Sequence, residues 1–554
     1  MTEQSFADKL VLSFRQNKLL LFCLFYILLP VPLLTPLANN ISFEECLFSI
    51  VFSLLFFTLL FITLQFFAVK TVKLYCTVLL IFTLVPSAIF IGYLLFAQAF
   101  LLTDSITSIF ETNPEESKEF IADYMNPFIT AGIFIYAGIP IYMICKLKGK
   151  NIFSIRRNKI AFTICLILLA TFFVVRPVAK SIFFINFYKT YIEYKERQSS
   201  EYKEISQRLK SPFNVTTLQP DTTPQTIVVI IGESLTRHHM SLYGYGRQTN
   251  PLLSKPDSSL FIYKDVTSPQ VHTIPVIRTV MTFMDRKHKE YFYKQPSLFE
   301  LFNRANYDTY FITNQPFGGR YATSYDILLS QAKYIFNPSL QKKPDEVVFP
   351  YLQQALDNKT QKNKLIVIHL MGNHMVYKFR YPSKYNVFKN GTDHFIQRHE
   401  KFITPETIKI IDDYDNSVLY NDYVVSSIIQ KVKKAQSPSA VVYFSDHGEE
   451  VYEVRDFAGH AYEKVSDYMC DIPFIAWHSP TFGNYRTDLK YDTTRPFSTA
   501  NLLFSITDLA GLRYENFDAK KSLFNMKFNP SERYIGEYTY QEVKEMTQSM
   551  KTNR

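Results

Sequence analysis

"TIVVIIGESLTRHHMSLYGYGRQTNP", residues 226–251, opens on a run of mostly β-branched residues that stops at Gly232 and delivers a bare carboxylate, Glu233. Thr, Ile and Val in succession suit a pleated strand, and apolar side chains pointing both ways need cover on both faces of a sheet. A carboxylate at the end of such a strand must meet water, a cation or a proton. For Glu233 alone, a helix-capping role is the plain alternative.

Downstream the pattern repeats. "TYFITN" (309–314), "KLIVIHLMG" (364–372), "AVVYFSDHG" (440–448) and "IPFIAWH" (472–478) read as strands, while "PSLFELFNRAN" and "YLQQALDN" have helical spacing. Buried strands alternating with helices predict a mainly parallel α/β sheet with helices on both faces. In open sheets of this kind ligands gather at the carboxyl ends of the strands. Those ends carry Glu233, the pair Asp446 and His447, and His374, with His369 inside its strand. Two acids and an imidazole meeting at one sheet edge suit a divalent cation, zinc most naturally.

Upstream the chemistry changes. Apolar runs near 18–38, 46–68, 74–102, 126–145 and 159–179 are each about as long as the roughly 20 residues that cross a bilayer. The loop "KLKGKNIFSIRRNK" (146–159) has six basic residues and no acid, whereas "DSITSIFETNPEESKEFIAD" carries six acids and one Lys. Positive charge stays on the cytoplasmic side, which predicts a cytoplasmic amino terminus and everything beyond about 180 outside. "RPVAKSIFFINFYKTYIEYKERQ" (176–198) reads as an amphipathic helix on the outer membrane face or as an extension of the last span, and "SPFNVTTLQPDTTPQ" (211–225) as a linker. The expected plan is a five-helix transmembrane domain over 1–180, an interfacial helix and linker over 181–225, and an exported catalytic domain over 226–554.

A mean hydropathy of −0.04 over 554 residues is the average of these unlike parts. The net charge of +10 is spread without a basic block, so no nucleic-acid partner is expected, and a basic surface suits an anionic membrane. Five of the six cysteines sit in or beside the apolar runs; Cys470 alone remains for the exported domain, which therefore makes no internal disulfide.

"GESLTRHHMSLYGYGRQTNP" and "SDHGEE…GHAY" resemble the motifs of the membrane-bound phosphoethanolamine transferases of Gram-negative envelopes, and the resemblance covers nearly the whole chain. It implies an exported domain of alkaline phosphatase/sulfatase type with a zinc-bound threonine nucleophile at the start of a helix. Forty positions after Glu233, in "DVTSPQVHTIPVIRTVMTF" (265–283), stands Thr273, with Pro275 in the first turn of a helical pattern. The residues by themselves leave Thr273 a simple helix cap, with Thr267 and Ser268 as the nearest rivals. A hydroxyl is a poor nucleophile near neutral pH; coordination lowers its pKa, and a helix amino terminus favours an incoming phosphate.

By the same resemblance, Glu233, Thr273, Asp446 and His447 hold one catalytic zinc. His374 and His460 match histidines around the substrate phosphate; they could bind phosphate oxygens, protonate the leaving group or host a second zinc. Asn314 and Arg320, in "FITNQPFGGR", are further substrate contacts, and Thr112 and Glu116, in "SITSIFETNPEES", fall where the family meets the donor head group. The implied reaction moves phosphoethanolamine from phosphatidylethanolamine to lipopolysaccharide in the bacterial inner membrane, with a monomer expected. Family members that modify lipid A carry several disulfides, and "SPQVHTIPVIRTVMTF" is closer to the branch acting on core sugars, so a core sugar such as heptose is favoured. Phosphoglycerol transfer, or another sulfatase-superfamily phosphoester or sulfoester reaction, is the alternative chemistry, and a non-catalytic membrane scaffold the alternative class.

Overall fold

The computed structural model describes residues 6–552 apart from 39, 98, 112–117, 119–126, 219–223, 319–323, 342 and 390–401. Its chain divides into two compact units, Met1–Glu196 and Arg197–Arg554.

The described part of the first unit is helical. Phe43–Leu64 starts at a capping box in which Ser42 and Glu45 satisfy each other's backbone N–H groups. This helix and Val69–Leu95 are long and apolar enough to cross a membrane. Asp8–Gln16 and Lys18–Leu28 meet at a 79° bend and add a third if the pair is one span, while Thr130–Lys146 and Lys159–Val174 are apolar but shorter. Among the described residues two clear spans thus stand where the apolar runs predict five. In the first run the helix stops at Leu28 and restarts at Pro30, because Pro30 and Pro32 bring no N–H to a continuing ladder. Ile160 (79 % exposed) and Phe134 (74 %) show the apolar outer surface that a hydrocarbon solvent requires. Helices Arg176–Ser181 and Phe183–Arg208 follow, the second running past the expected end at 198.

The second unit is built on a seven-stranded mixed sheet. Its strands are β1 (Thr226–Gly232), β2 (Leu260–Tyr263), β3 (Asp308–Thr313), β4 (Tyr334–Phe336), β5 (Lys364–His369), β6 (Ser439–Ser445) and β7 (Phe474–His478), in the order β2-β7-β6-β1-β5-β3-β4. β6, β1, β5, β3 and β4 run parallel, and β7 is antiparallel to both its neighbours. Residues alternate between two cores. Ile227, Val229 and Ile231 join Leu365, Val367, Val442 and Phe444 on one face, and Val228 and Ile230 join Ile366, Ile368, Val441 and Tyr443 on the other. Both faces are dry, which is why the polar residues of these strands stand at or near their ends. Part of the expected linker is tied down, since Thr216–Thr217 pairs antiparallel with Leu512–Arg513.

The longest helix, Pro405–Lys434, starts at a capping box of Thr404 and Thr407 with Pro at its first position. Its Tyr414 hydroxyl donates to Ser234 O (2.8 Å) and accepts from Thr236 N (3.0 Å). That contact holds the turn after β1, where Ser234 has φ 54°. Asp412 and Asp415 of the same helix clamp the buried Arg247 at 2.6 and 2.7 Å. The Arg in "GYGRQTNP" is therefore part of the scaffold.

Candidate active site

β1 and β6 are parallel neighbours with Gly232 opposite Ser445, and Asp446 N donates to Gly232 O at 3.0 Å. The next residues on the two strands, Glu233 and Asp446, therefore emerge side by side. All three members of the Glu233, Asp446, His447 group are buried, and one ligand atom from each lies within 4.8 Å of the others. His447 Nε2 is 3.3 Å from Glu233 Oε1 and 3.4 Å from Asp446 Oδ2.

Thr273 is the first residue of the helix Thr273–Val280, with His272 at the N-cap. Its hydroxyl does not cap the helix; Oγ1 lies 3.1 Å from both carboxylate oxygens of Glu233. Ser268 turns away to Gln270 O (2.7 Å), and Thr267 lies in a two-residue strand beside Phe497–Ser498.

The donor chemistry fits a cation. His447 Nδ1 donates to Gly448 O at 2.8 Å, which fixes the tautomer and turns Nε2 inward. Asp446 Oδ1 accepts from Ser234 N and His447 N, leaving Oδ2 for the centre. Asp446 Oδ2 and His447 Nε2 are buried and have no hydrogen-bond partner among the described residues. Burial pushes the Asp446 carboxyl up to about 7, with the Glu233 charge adding to it. Burial opposes charge on His447, yet Asp446 and Glu233 raise its imidazole to about 10. Two buried carboxylates with one imidazole between them suit a neutralising cation, and an oxygen–nitrogen set of this size is what zinc takes.

A second group shares His447. Glu449 Oε2 is 2.7 Å from His460 Nδ1, Glu449 Oε1 accepts from Tyr377 OH at 2.7 Å, and the His447 and His460 ring centroids are 4.2 Å apart. His447, Glu449 and His460 also place ligand atoms within 4.8 Å of one another. His374 belongs to the same neighbourhood: burial lifts the Glu449 carboxyl to about 7 against the opposing His447 and His374 charges, and burial first, then His447 and His374, hold the His460 imidazole well below its usual range. His272 stacks on Tyr462 (centroids 4.0 Å, 6°) and meets the His460 ring edge-on at 4.8 Å. Burial first, then His460 and His447, hold its imidazole well below the usual range.

The structure brings Glu233, Thr273, Asp446 and His447 together, with His460 and His374 alongside. Asn314 points elsewhere: its amide donates to Lys343 O (3.0 Å) and Asp345 Oδ1 (2.9 Å), and Asp345 in turn accepts from Met371 N and Gly372 N. Its neighbour Gln315 enters the site instead, donating to Glu233 Oε2 (3.2 Å) and Leu370 O (3.1 Å). Thr112, Glu116 and Arg320 lie outside the described residues.

Sequence reasoning left His272 unassigned and missed Gln315 and Glu449, although each stands within two positions of a residue it singled out. It also missed Gly372. With φ 53°, a Cβ there would lie 2.7 Å from Glu233 N and 2.8 Å from Glu233 O. The "MGNH" loop thus packs its backbone directly on that of the strand-end acid, and Asn373 N donates to Glu233 O at 2.9 Å.

The sulfatase family model matches residues 225–512. The phosphoethanolamine transferase EptC of Escherichia coli K12 is 30% identical over 479 residues, spanning 80% of this chain and 81% of that protein. The crystal structure of the C-terminal periplasmic domain of Escherichia coli EptC in complex with Zn superposes with a TM-score of 0.56 at 34% identity, covering 59% of this chain and 93% of that one. The integral membrane lipooligosaccharide phosphoethanolamine transferase A of Neisseria meningitidis gives a TM-score of 0.65 over 94% of this chain and 98% of that one. At 18% identity, that likeness speaks for the fold alone.

Proposed function

The chain belongs to the sulfatase family and, within it, to the phosphoethanolamine transferases, and on that premise we propose that it moves phosphoethanolamine from phosphatidylethanolamine to lipopolysaccharide by way of Thr273. The observation that carries the reading is the Thr273 hydroxyl, at a helix amino terminus, 3.1 Å from both Glu233 oxygens and beside two unpartnered buried donor atoms.

Glu233, Thr273, Asp446 and His447 would hold one zinc ion, the metal bound by the related EptC domain, with His447, Glu449 and His460 the group that could take a second. Bound there, zinc supplies Lewis acidity and lowers the pKa of a coordinated hydroxyl. The Thr273 oxygen attacks phosphorus; the new O–P bond forms as the bond to the diacylglycerol oxygen breaks. An acceptor hydroxyl then attacks the phosphoethanolamine-threonine and frees Thr273. In each displacement one proton passes from the attacking hydroxyl to the leaving oxygen. The pair His460–Glu449, joined at 2.7 Å, would carry it. His374 and the helix amino terminus face the phosphate charge.

The first unit anchors the enzyme in the bacterial inner membrane, where both lipid substrates reside. We assign five crossings, a cytoplasmic amino terminus and a periplasmic catalytic unit, following the charge of the loops. The acceptor is a core sugar in preference to lipid A, on the resemblance of segment 268–283 and the absence of any cysteine but Cys470 beyond residue 196.

The full chain incubated with phosphatidylethanolamine should gain the mass of one phosphoethanolamine on Thr273, and Thr273→Ala should gain none. Zinc content should fall in Glu233→Ala and Asp446→Ala; equal zinc in both variants and the wild type would overturn the site. Mass spectrometry of lipopolysaccharide from cells with and without the gene should place the extra phosphoethanolamine on the core, and its appearance on lipid A would overturn the acceptor.

A further inference from the structure

Segment 376–389, "VYKFRYPSKYNVFK", contains four basic residues and no acid. It begins inside the site. Tyr377 OH donates to Glu449, the partner of His460, and Arg380 reaches back to His374 O (3.1 Å) and Met375 O (3.2 Å). At the exit the backbone is forced: Val376, a β-branched residue, has φ 64°, a conformation that such residues hold only where surrounding contacts impose it. The rest of the segment is laid along the 405–434 helix. Tyr381 OH donates to Asp413 (2.6 Å), Val387 N and Phe388 N donate to Asn416 Oδ1 (2.9 Å each), and Tyr385 packs on Tyr420 and Tyr423. Anchored on this side, it turns Lys378, Phe379, Lys384, Val387 and Lys389 outward. Phe379 is 56 % and Val387 59 % exposed, and Lys378 Nζ sits 5.1 Å from the Phe379 ring centroid.

We propose that this surface docks the anionic saccharide of the acceptor, with Lys378, Lys384 and Lys389 facing its phosphates and carboxylates and Phe379 lying against a sugar ring. The inference rests on the transferase reading above and names what that site uses to recognise its second substrate. Charge selects the occupant. The donor head group is a zwitterion with no net charge for three lysines to attract, whereas a lipopolysaccharide acceptor carries many negative groups next to the sugars. Exposed aromatic and aliphatic side chains set among cations suit a charged glycan, and they continue directly from Tyr377 at the His460–Glu449 pair.

The test uses the full chain in detergent with phosphatidylethanolamine, comparing wild type with K378E/K384E/K389E and with the milder K378Q/K384Q/K389Q. Formation of the phosphoethanolamine adduct without acceptor should be unchanged, which also reports that the variants fold. The KM for lipopolysaccharide should rise about tenfold at low salt in the Glu variant, less in the Gln variant, with kcat within about twofold and the difference shrinking at high salt. An unchanged KM overturns the proposal. So does a slowing of adduct formation equal to the slowing of transfer, or an equal loss of binding to phosphatidylglycerol vesicles free of lipopolysaccharide, because either makes the segment a membrane anchor. If the wild type forms no adduct, the nucleophile assignment fails separately. Direct binding of wild type and Glu variant to lipopolysaccharide micelles then decides the docking surface: tenfold weaker binding by the variant supports it and equal binding overturns it.

Discussion

Gly372→Ala puts one methyl group where the "MGNH" loop lies on the backbone of Glu233. The new Cβ would stand 2.7 Å from Glu233 N, 2.8 Å from Glu233 O and 3.0 Å from Glu233 Cβ, against 3.4 Å for ordinary contact, at φ 53°. Two costs combine: about 1–2 kcal/mol for an L side chain in the left-handed region and about 1–3 kcal/mol for crowding against backbone that cannot rotate away. A loss of roughly 2–5 kcal/mol, spread over a unit of this size, lowers Tm by about 3–7 °C. The larger effect falls on chemistry. Relieving the clash moves Glu233 by about 0.7 Å, and displacements on this scale cost on the order of tenfold to hundredfold in rate. The assay is adduct formation on Thr273 beside thermal unfolding. Gly244→Ala is the control: φ is 96° but nothing lies within 4 Å of the added Cβ, so it should lose stability and keep its rate. If Gly372→Ala kept wild-type activity, or if both variants lost it equally, the close packing of loop on strand would not be what positions the acid.

Gln315→Leu removes the amide that orients Glu233 from outside the ligand set, and zinc affinity should drop about 10–100-fold with little change in fold; an unchanged affinity by competition with a chelator would remove Gln315 from the site. His239, buried between Asp415 Oδ1 and Glu453 Oε1 at 2.5 Å each, gives a pH signature. Burial opposes its charge, but Asp415 and then Glu453 raise its imidazole to about 9. Its folded pKa lies above the unfolded value near 6.5, so its contribution is complete below about 6.5 and is lost as pH climbs through about 9. His239→Gln should flatten that part of the stability profile, and a parallel profile for both proteins would refute the ion pair.

The strands that carry the metal ligands were legible because they are buried on both faces and so consist almost wholly of apolar residues. β2 and β4 escaped notice. Each is short and lies at an edge of the sheet, so "LFIY" and "YIF" have no long run to announce them. The 405–434 helix escaped for the opposite reason. It buries Asp412, Asp415, Asn416, Asn421 and Asp422 among its apolar residues, and a stripe of paired polar side chains blurs the 3.6-residue period. Asn314 and Gln315 show the limit at single-residue scale. Both are amides at one strand end, and only the position of Asp345 decides which of them turns toward the acid of β1. In the amino-terminal unit, the reading of a continuous run over 18–38 overlooked what Pro30 and Pro32 do to a helix.

The pairing of Gly232 with Ser445 has a consequence for how such a centre can change. Neither carboxylate owes its place to a flexible arm; both are handed forward by rungs of one hydrogen-bonded ladder, so their separation is as fixed as the spacing between strands. Loops elsewhere can lengthen or shorten freely, but adding or deleting a single residue within β1 or β6 would swing one acid to the opposite side of the sheet. Divergence is therefore confined to what surrounds the cation, and new specificities must be written in the segments beside the ladder.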